Sequence, residues 1–385
     1  MLAKTPPMGW NSWNTFGTNI SEDLVMKTAD LFVELGLKDV GYEYIVIDDC
    51  WSKMERDENG RLVADPEKFP HGMKYLADYI HSKGLKFGMY SCAGTKTCAG
   101  YPSSFDHEFV DAQTFADWGV DYLKYDYCYR PAYVDGPLLY RKMSLALKAT
   151  GRDILFSACN WGSDDVHSWI RSSGAHMYRS TGDINDSPVS FRDIAFSQIP
   201  KLSMSGPACI NDTDMLIVGM FGKGNVGFGG CTMDEYRMHF ALWCMMASPL
   251  MIGSDIRMLM TEGKTEEEIR QGREVLELLK NKDLLRIDQD EEVRPCFPVN
   301  GQIGDVLMLF RVLSDNEFAL GIFNFADGTA RPCVEFHDIG LSVDSGYGLN
   351  MREIFTGETV HAFENYQPDV AGHSCKVYLC KLAKK

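Results

Sequence analysis

The chain has 385 residues, of which 45% are hydrophobic, and 38 Lys and Arg against 54 Asp and Glu give it a formal net charge of −16. This acidic balance, with no run of Lys or Arg, argues against nucleic acid or an anionic membrane surface as partners, because both are bound through basic patches. No apolar stretch is long enough for a transmembrane helix.

The N-terminal segment turns polar before an apolar signal core forms. We therefore expect a cytoplasmic protein, although a secreted protein whose signal had been removed would have the same sequence. Twelve cysteines spread over a chain of this length are not a disulfide framework. Most of them are expected to be buried free thiols, with few bridges.

Along the chain, apolar runs that end in polar residues alternate with amphipathic stretches, which predicts strands alternating with helices. The predicted strands are residues 8–13, 44–50, 86–92, 122–127, 154–161, 176–179 and 249–253, and the clearest predicted helices are 21–35, 73–82, 105–118, 135–149 and 235–246. About eight such units predict an α/β fold of the (β/α)8 TIM-barrel type. A doubly wound open sheet is the alternative, but no Gly-rich phosphate fingerprint follows the first strand.

The pattern changes near residue 291. Short strand-like segments separated by Gly, Asp and Asn turns replace the alternation, at residues 306–310, 318–325, 351–355 and 375–379. This pattern predicts a C-terminal antiparallel β-sandwich. The predicted domains are a catalytic barrel over 1–290 and the sandwich over 291–385.

The strand at 122–127 carries two ionisable residues, Lys124 and Asp126, two positions apart. Side chains at this spacing point to the same face of a strand. Burying a cation and an anion costs several kcal/mol each unless they pair or take part in chemistry. A structural ion pair therefore stands beside a catalytic carboxylate as the interpretation, and the end of a barrel strand favours the second.

Further carboxylates and aromatic residues also follow predicted strands. They are Asp48, Asp49, Asp183, Asp212 and Asp214, with Trp10, Trp13, Tyr90 and Trp161. Carboxylates gathered at one mouth could hold a metal, but Lys124 among them argues against a cation site. A sugar suits them better, because acids accept hydrogen bonds from its hydroxyls and aromatic rings cover its C–H face. Glycoside hydrolysis then requires two carboxyl groups with different roles.

With these residues in place, the chain resembles the α-galactosidase/α-N-acetylgalactosaminidase family of retaining glycosidases, glycoside hydrolase family 27. The resemblance runs from Thr5 to about Arg257 and continues more loosely through the predicted sandwich. The motifs that carry it are TPPMGWNSW (5–13), IDDCW (47–51), GLKFGMYS (84–91), DYLKYD (121–126), CNWG (159–162), YRSTGDI (178–184) and NDTDML (211–216).

The resemblance implies a role for each matching residue. Asp126 corresponds to the nucleophile and Asp183 to the general acid/base. The residues implied in substrate binding are Trp13, Asp48, Asp49, Tyr90, Lys124, Asn160, Trp161, Ser163, Arg179 and Asp214. The family uses no catalytic metal and no organic cofactor, so we expect neither here.

These roles set electrostatic requirements. Lys124 should lower the pKa of Asp126 and keep it ionised, as a nucleophile must be. Asp183 needs a raised pKa to donate its proton, and Arg179 would oppose that rise, so enclosure must supply it. Retention of configuration predicts carboxyl groups about 5–5.5 Å apart.

Departures from the family pattern bear on the substrate. Asn160 stands where many members carry Glu, and Ser163 is small enough for an N-acetyl group, so α-N-acetylgalactosaminidase is the closest alternative to the favoured α-galactosidase. Cys92 stands where Asp is common, near the sugar's hydroxymethyl edge, which keeps β-L-arabinopyranosidase as a further alternative. A non-catalytic galactose-binding protein would not need both Asp126 and Asp183.

The resemblance also implies a disulfide between Cys98 and Cys128. Cys50 and Cys92 follow consecutive strands, so a second bridge or two free thiols both remain open. The expected partner is a small carbohydrate with a terminal α-linked galactose. A homo-oligomer is left open.

Overall fold

The computed structural model describes residues 1–299 and 304–385. Its N-terminal part contains an eight-stranded parallel sheet, with the strand order β7-β6-β5-β4-β3-β2-β1-β8. These strands are β1 (Met8–Asn11), β2 (Tyr44–Val46), β3 (Lys86–Cys92), β4 (Tyr122–Asp126), β5 (Leu155–Cys159), β6 (Met177–Arg179), β7 (Ile210–Asp212) and β8 (Leu250–Ile252).

The sheet closes on itself between its first and last members. Leu216, just after β7, forms a parallel bridge with Ile252 of β8, and its N–H donates to the Met251 carbonyl (2.8 Å). Since β8 also pairs with β1, the strands form a barrel. The predicted (β/α)8 barrel is confirmed, and the open-sheet alternative is wrong.

Ten α-helices are found among the described residues. They are α1 (Trp13–Phe16), α2 (Glu22–Glu34), α3 (Gly72–Ser82), α4 (Glu108–Trp118), α5 (Gly136–Ala149), α6 (Ile170–Ser173), α7 (Pro188–Gln198), α8 (Met233–Met246), α9 (Glu266–Leu279) and α10 (Lys282–Asp288). No helix of the described chain has the length and apolar character that crossing a membrane requires.

The two faces of β4 show why polar residues gather inside the barrel. Leu123 and Tyr125 face the surrounding helices and join the main apolar core. Tyr122 points inward and packs with Tyr44 and Met177 at the base of the barrel. With a period of two residues, Lys124 and Asp126 also point inward, above that apolar base.

The C-terminal part contains two antiparallel sheets. A six-stranded sheet has the order β14-β13-β16-β11-β10-β9, and β12 pairs with β15. These strands are β9 (Phe297–Pro298), β10 (Val306–Val312), β11 (Glu317–Asn324), β12 (Val334–Glu335), β13 (Tyr347–Glu353), β14 (Thr359–Ala362), β15 (Asn365–Tyr366) and β16 (Ser374–Lys384). The predicted antiparallel architecture after the barrel is confirmed.

The six-stranded sheet is apolar on both faces. Leu307 and Leu309 of β10 belong to the same core as the barrel helices. Met308 and Phe310, on the other face, pack with Val334 of β12 in a separate core. Because one face shares the core of the barrel, we propose that the predicted domains 1–290 and 291–385 fold as one body.

Helix α8 begins with a capping box, whose contribution to stability can be tested. The Thr232 hydroxyl accepts from the Glu235 N–H (3.3 Å), and the Glu235 carboxylate accepts from the Thr232 N–H (2.7 Å). We expect Thr232→Ala to lower the free energy of unfolding by about 1 kcal/mol. Equilibrium urea unfolding measures the change. Thr232→Ser keeps the hydroxyl and is the control; equal losses in both variants would contradict the capping role.

Candidate active site

The carboxyl ends of the barrel strands surround a cavity of about 180 Å³. All but two of the twelve residues predicted in the site line it: Trp13, Asp48, Asp49, Tyr90, Lys124, Asp126, Trp161, Arg179, Asp183 and Asp214. The cavity is also lined by Asn14, Cys98, Cys128, Ile184, Met215 and Val226. Residues far apart in sequence therefore form a single concave site at the mouth of the barrel, where barrel enzymes keep their active sites.

Asp126 ends β4 at the bottom of this cavity and is only 6% exposed. The N–H of Tyr127 donates to its Oδ1 (2.9 Å), which fixes the carboxylate. No salt bridge within 4.0 Å joins Asp126 to a cation of the described chain. One carboxylate oxygen of Asp126 is therefore oriented by the backbone, and the carboxylate is left able to react with a molecule bound in the cavity.

Burial raises the pKa of Asp126 above its ordinary value, and the charges of Lys124 and Arg179 oppose the rise without cancelling it. The expectation of a lowered pKa for Asp126 is therefore wrong, although Lys124 acts in the expected direction. The neighbouring cation favours the ionised form, but the loss of water around a carboxylate at the end of an enclosed strand outweighs it.

Lys124 is paired with Asp48 of the loop after β2. Its Nζ donates to Asp48 Oδ2 (2.8 Å), which also accepts from the Asn11 side-chain amide (2.8 Å). Burial acts to lower the pKa of Lys124, but Asp48 and other nearby acids raise it well above the ordinary value. The structural ion pair considered for the 122–127 strand is thus present, and it joins Lys124 to Asp48 rather than to Asp126.

Asp49 is held by two backbone donors. The N–H of Cys50 donates to its Oδ1 (2.7 Å), and the N–H of Ala99 donates to its Oδ2 (2.9 Å). Burial raises the pKa of Asp49, and these two hydrogen bonds oppose the rise. The second donor comes from the loop after β3, so this loop helps to place a carboxylate in the cavity.

Arg179, at the end of β6, connects two acids. Its guanidinium bonds to Asp183 and lies 3.4 Å from Asp214 Oδ1. Asp214 adopts a left-handed backbone conformation (φ 80°) and accepts from the N–H groups of Ile184 and Met215, each at 2.8 Å. These contacts fix the loop after β7 against the loop after β6.

The Asp183 side chain is 77% exposed at the cavity rim. What burial it has acts to raise its pKa, but the charge and hydrogen bond of Arg179, with the charge of Lys124, lower the pKa overall. The expectation that enclosure raises the pKa of Asp183 is not met in this structure, because the side chain faces solvent and is paired with Arg179.

Asn160 and Ser163 lie outside the lining of the cavity. The Asn160 side chain is 1% exposed, donates to the Ser163 carbonyl (2.8 Å) and accepts from the Gly162 N–H (3.3 Å). The side-chain amide of Asn160 therefore stabilises the turn formed by residues 160–163. Trp161, between them, has a positive φ of 59° and reaches the cavity.

The contacts beneath the site were not predicted from the sequence. Asn11 bonds to Asp48, and the Ser12 hydroxyl accepts from the Asp48 N–H (3.0 Å). Asp212 lies deeper in the barrel, where burial and the charge of Asp214 raise its pKa to about 7, against the opposing charges of Arg179 and Lys124. Both regions lie in motifs noted above, TPPMGWNSW and NDTDML, but only the fold shows what these residues contact.

The disulfide between Cys98 and Cys128 is present. Cys50 and Cys92 are buried free thiols, so the second bridge left open above is not formed. Among the residues that the structure describes, one group of His, Cys, Asp or Glu has ligand atoms within 4.8 Å of one another, and it consists of Cys98, Asp126 and Cys128. Its two cysteines are joined to each other in this state.

The chain is similar to known alpha-galactosidases. The family model described as Alpha galactosidase A matches residues 5–290. An alpha-galactosidase of Cyamopsis tetragonoloba is 40% identical over 98% of this chain and 86% of its own length. Alpha-galactosidase 3 of Arabidopsis thaliana is 39% identical over 98% and 82%, respectively.

Solved structures share the fold. Alpha-galactosidase I from Mortierella vinacea superposes with a TM-score of 0.88 at 32% identity, covering 98% of this chain and 97% of that one. A β-L-arabinopyranosidase from Geobacillus stearothermophilus gives 0.85 at 24% identity, covering 98% and 97%. At the latter identity the likeness concerns the fold alone.

The raised pKa of Asp212 predicts a pH-dependent stability. A carboxyl group whose pKa is raised by folding contributes to stability only while it is protonated. For Asp212 this contribution is lost as the pH rises from the pKa of the unfolded chain to the folded-state pKa of about 7. Asp212→Asn removes that loss and keeps the oxygen that accepts from the Asp214 N–H (2.8 Å). We expect the variant to be stabilised relative to the wild type by about 2–3 kcal/mol more at about pH 8 than at about pH 5.

Urea unfolding at the two pH values measures this difference. Asp193→Asn, which changes an exposed carboxylate on α7, is the matched control and should alter stability equally at both pH values. A pH-independent effect of Asp212→Asn would contradict the assignment of the raised pKa to this residue.

Proposed function

This chain belongs to the Alpha galactosidase A family, glycoside hydrolase family 27, and we propose that it releases terminal α-linked galactose by double displacement, with Asp126 as nucleophile and Asp183 as general acid/base. The observation that carries the assignment is the placement of two carboxylates in different environments on one cavity. Asp126 is buried at the bottom, and Asp183 is exposed at the rim.

In the first step a carboxylate oxygen of Asp126 bonds to the anomeric carbon while the glycosidic C–O bond breaks. Asp183 gives its proton to the leaving oxygen, and the aglycone departs as an alcohol. In the second step Asp183 removes a proton from water, whose oxygen bonds to the anomeric carbon and displaces Asp126. Two inversions give net retention, and both side chains return to their initial protonation states.

The charges around the two acids suit this order of events. Lys124 and Arg179 oppose the burial-driven rise in the pKa of Asp126 and so favour its ionised form. Asp183 must be protonated to act first, and we propose that substrate binding provides this. A sugar that bonds to Arg179 weakens its pairing with Asp183, and an aglycone over the rim excludes water from the carboxyl group, so both changes raise its pKa.

The remaining residues of the cavity fit a single sugar. Asp48 and Lys124 form one polar cluster, Asp49 lies beside it, and Arg179 with Asp214 forms another. Trp13, Tyr90 and Trp161 supply aromatic surface for the C–H face of the sugar. We propose that Asp48, Asp49 and Lys124 bind the 3-, 4- and 6-hydroxyls, and that Arg179 and Asp214 bind around the 2-hydroxyl. A cavity of about 180 Å³ has room for one sugar residue, which favours exo-acting cleavage.

The internal hydrogen bonds of Asn160 support galactose over N-acetylgalactosamine. An acetamido pocket built from Asn160 and Ser163 would require both side chains to face the cavity, and neither lines it. α-N-Acetylgalactosaminidase remains the second candidate. Cys92 is fully buried and its thiol donates to the Cys128 carbonyl (3.3 Å), so contact with the sugar edge would be indirect, which disfavours the β-L-arabinopyranosidase alternative.

We propose that carbohydrates are the partners of this site and, from the acidic charge, that nucleic acid and membrane surfaces are not. For the compartment, the Cys98–Cys128 bridge favours an oxidising environment, since disulfides persist there. Of the two predicted compartments, we therefore favour the secreted one over the cytoplasm.

Replacement of the nucleophile tests the mechanism. We expect Asp126→Ala to lower kcat on 4-nitrophenyl α-galactopyranoside by about 10³-fold or more, equivalent to about 4 kcal/mol of barrier. Added azide should enter the vacated space and restore turnover, giving β-galactosyl azide because one inversion has been lost. Asp193→Ala, on an exposed face of α7, is the control and should keep wild-type kinetics. Full activity in Asp126→Ala would exclude this residue as nucleophile.

A comparison of three substrates tests the specificity. We expect kcat/KM for 4-nitrophenyl α-galactopyranoside to exceed those for the α-N-acetylgalactosaminide and the β-L-arabinopyranoside by at least about a hundredfold, or about 2.7 kcal/mol. Preference for the acetamido sugar would mean that Asn160 and Ser163 turn towards the substrate. The substrate assignment would then be wrong, while the mechanism would stand.

A further inference from the structure

The disulfide lies directly beside the proposed nucleophile. Cys128 follows Asp126 by two residues at the end of β4, and Cys98 comes from the loop after β3. Both cysteines line the cavity, and Cys98 is exposed. The two sulfur atoms and a carboxylate oxygen of Asp126 lie within 4.8 Å of one another.

These three groups form a chemically distinctive set. Two thiolates and a carboxylate suit Zn²⁺, which binds sulfur at about 2.3 Å and oxygen at about 2.0–2.2 Å in tetrahedral sites. That geometry places neighbouring ligand atoms about 3.5–3.8 Å apart. The three ligand atoms here lie within 4.8 Å of one another while the sulfurs are still bonded to each other. After reduction the two sulfurs must move apart to the tetrahedral spacing, which rotation of the freed cysteine side chains can provide.

We propose that reduction of the Cys98–Cys128 bond creates a Zn²⁺ site made by both thiolates and Asp126, and that metal bound there switches the glycosidase off. A dithiol reductant supplies two electrons and two protons, so that the S–S bond becomes two thiols while the dithiol becomes a disulfide. Zn²⁺ then displaces one proton from each thiol and binds the Asp126 carboxylate, whose oxygen can no longer attack the anomeric carbon.

The cysteines stay close after reduction because other contacts hold the loop after β3. The Thr97 N–H donates to the Tyr101 carbonyl (2.9 Å), and the Tyr101 N–H donates to the Thr97 hydroxyl (3.0 Å). Lys96 and Pro102 form a backbone bridge below this turn. Ala99 also donates to Asp49 (2.9 Å), which anchors the loop to the cavity.

The charge of the cavity favours a cation. Lys124 and Arg179 are its two basic lining residues, and five acids surround them: Asp48, Asp49, Asp126, Asp183 and Asp214. Lys124 and Arg179 both have other acidic partners, at Asp48 and at Asp183 and Asp214. An arriving dication therefore meets an Asp126 that has no salt-bridge partner within the part of the chain that the structure describes.

Inhibition is tested with oxidised and reduced wild-type enzyme. One sample is reduced with dithiothreitol and freed of reductant by gel filtration under argon; both are then titrated with ZnCl₂ while galactoside hydrolysis is followed. We expect the reduced enzyme to lose at least about tenfold of its activity near one Zn²⁺ per chain, and EDTA to restore it. Equal inhibition of oxidised and reduced enzyme, or none of the reduced enzyme, would overturn the proposal.

Metal binding is read separately with Co²⁺, whose thiolate complexes absorb in the ultraviolet. Reduced wild type should show the thiolate–cobalt band with one Co²⁺ per chain, and Cys128→Ser should lose it. Cys333→Ser, which changes a cysteine of the C-terminal part outside the disulfide, is the matched control and should keep the band. Asp126→Asn should weaken Co²⁺ binding.

The Co²⁺ measurement needs no glycosidase activity, so its outcome is independent of the proposed function. It also remains decisive if reduction alone inactivates the enzyme. The same Co²⁺ spectrum in wild type and Cys128→Ser would overturn the proposed site.

Discussion

The two-residue period of a single buried strand governs the active site. In β4 it directs Leu123 and Tyr125 towards the helices and Lys124 and Asp126 into the mouth of a closed barrel. Burying a lone ammonium there would be costly, and the bond from Lys124 to Asp48 offsets that cost. The Lys124–Asp48 pair reaches from β4, past β3, to the loop after β2. The contact that neutralises the lysine therefore also fixes β4 relative to this loop.

This pairing has a consequence for catalysis. Because Lys124 bonds to Asp48, it acts on Asp126 through its field and not through a direct salt bridge. A nucleophile held by a bidentate partner would have to break that contact during reaction, whereas the carboxylate of Asp126, the proposed nucleophile, accepts a single hydrogen bond among the described residues, from the Tyr127 N–H. Burial raises the pKa of Asp126, and the charges of Lys124 and Arg179 limit the rise. The result is a poorly solvated carboxylate with two cations nearby.

Much of the fold and the membership of the site were predictable from sequence. Apolar runs that end in acids identify barrel strands, and the closed barrel then gathers those acids at one end. The expectations that the structure does not meet depend on tertiary distances. The pKa of Asp126 required the extent of its burial, Asp183 required its contact with Arg179, and the inward turn of Asn160 required its hydrogen bond to the Ser163 carbonyl. Neighbours in sequence give the sign of a nearby charge but not the amount of water removed around it.

The same acidic mouth that suits a sugar also attracts cations, and this places a constraint on the sulfur atoms beside Asp126. Two thiols next to a carboxylate would form a binding set for soft divalent metals, and the covalent bond between Cys98 and Cys128 removes both ligands at once. In the proposed metal site the bridge has a role distinct from loop closure, because the loop is already held by hydrogen bonds at Thr97, Ala99 and Tyr101. The bond then keeps the proposed nucleophile available, and the redox state of the site and its catalysis are coupled through the carboxylate of Asp126.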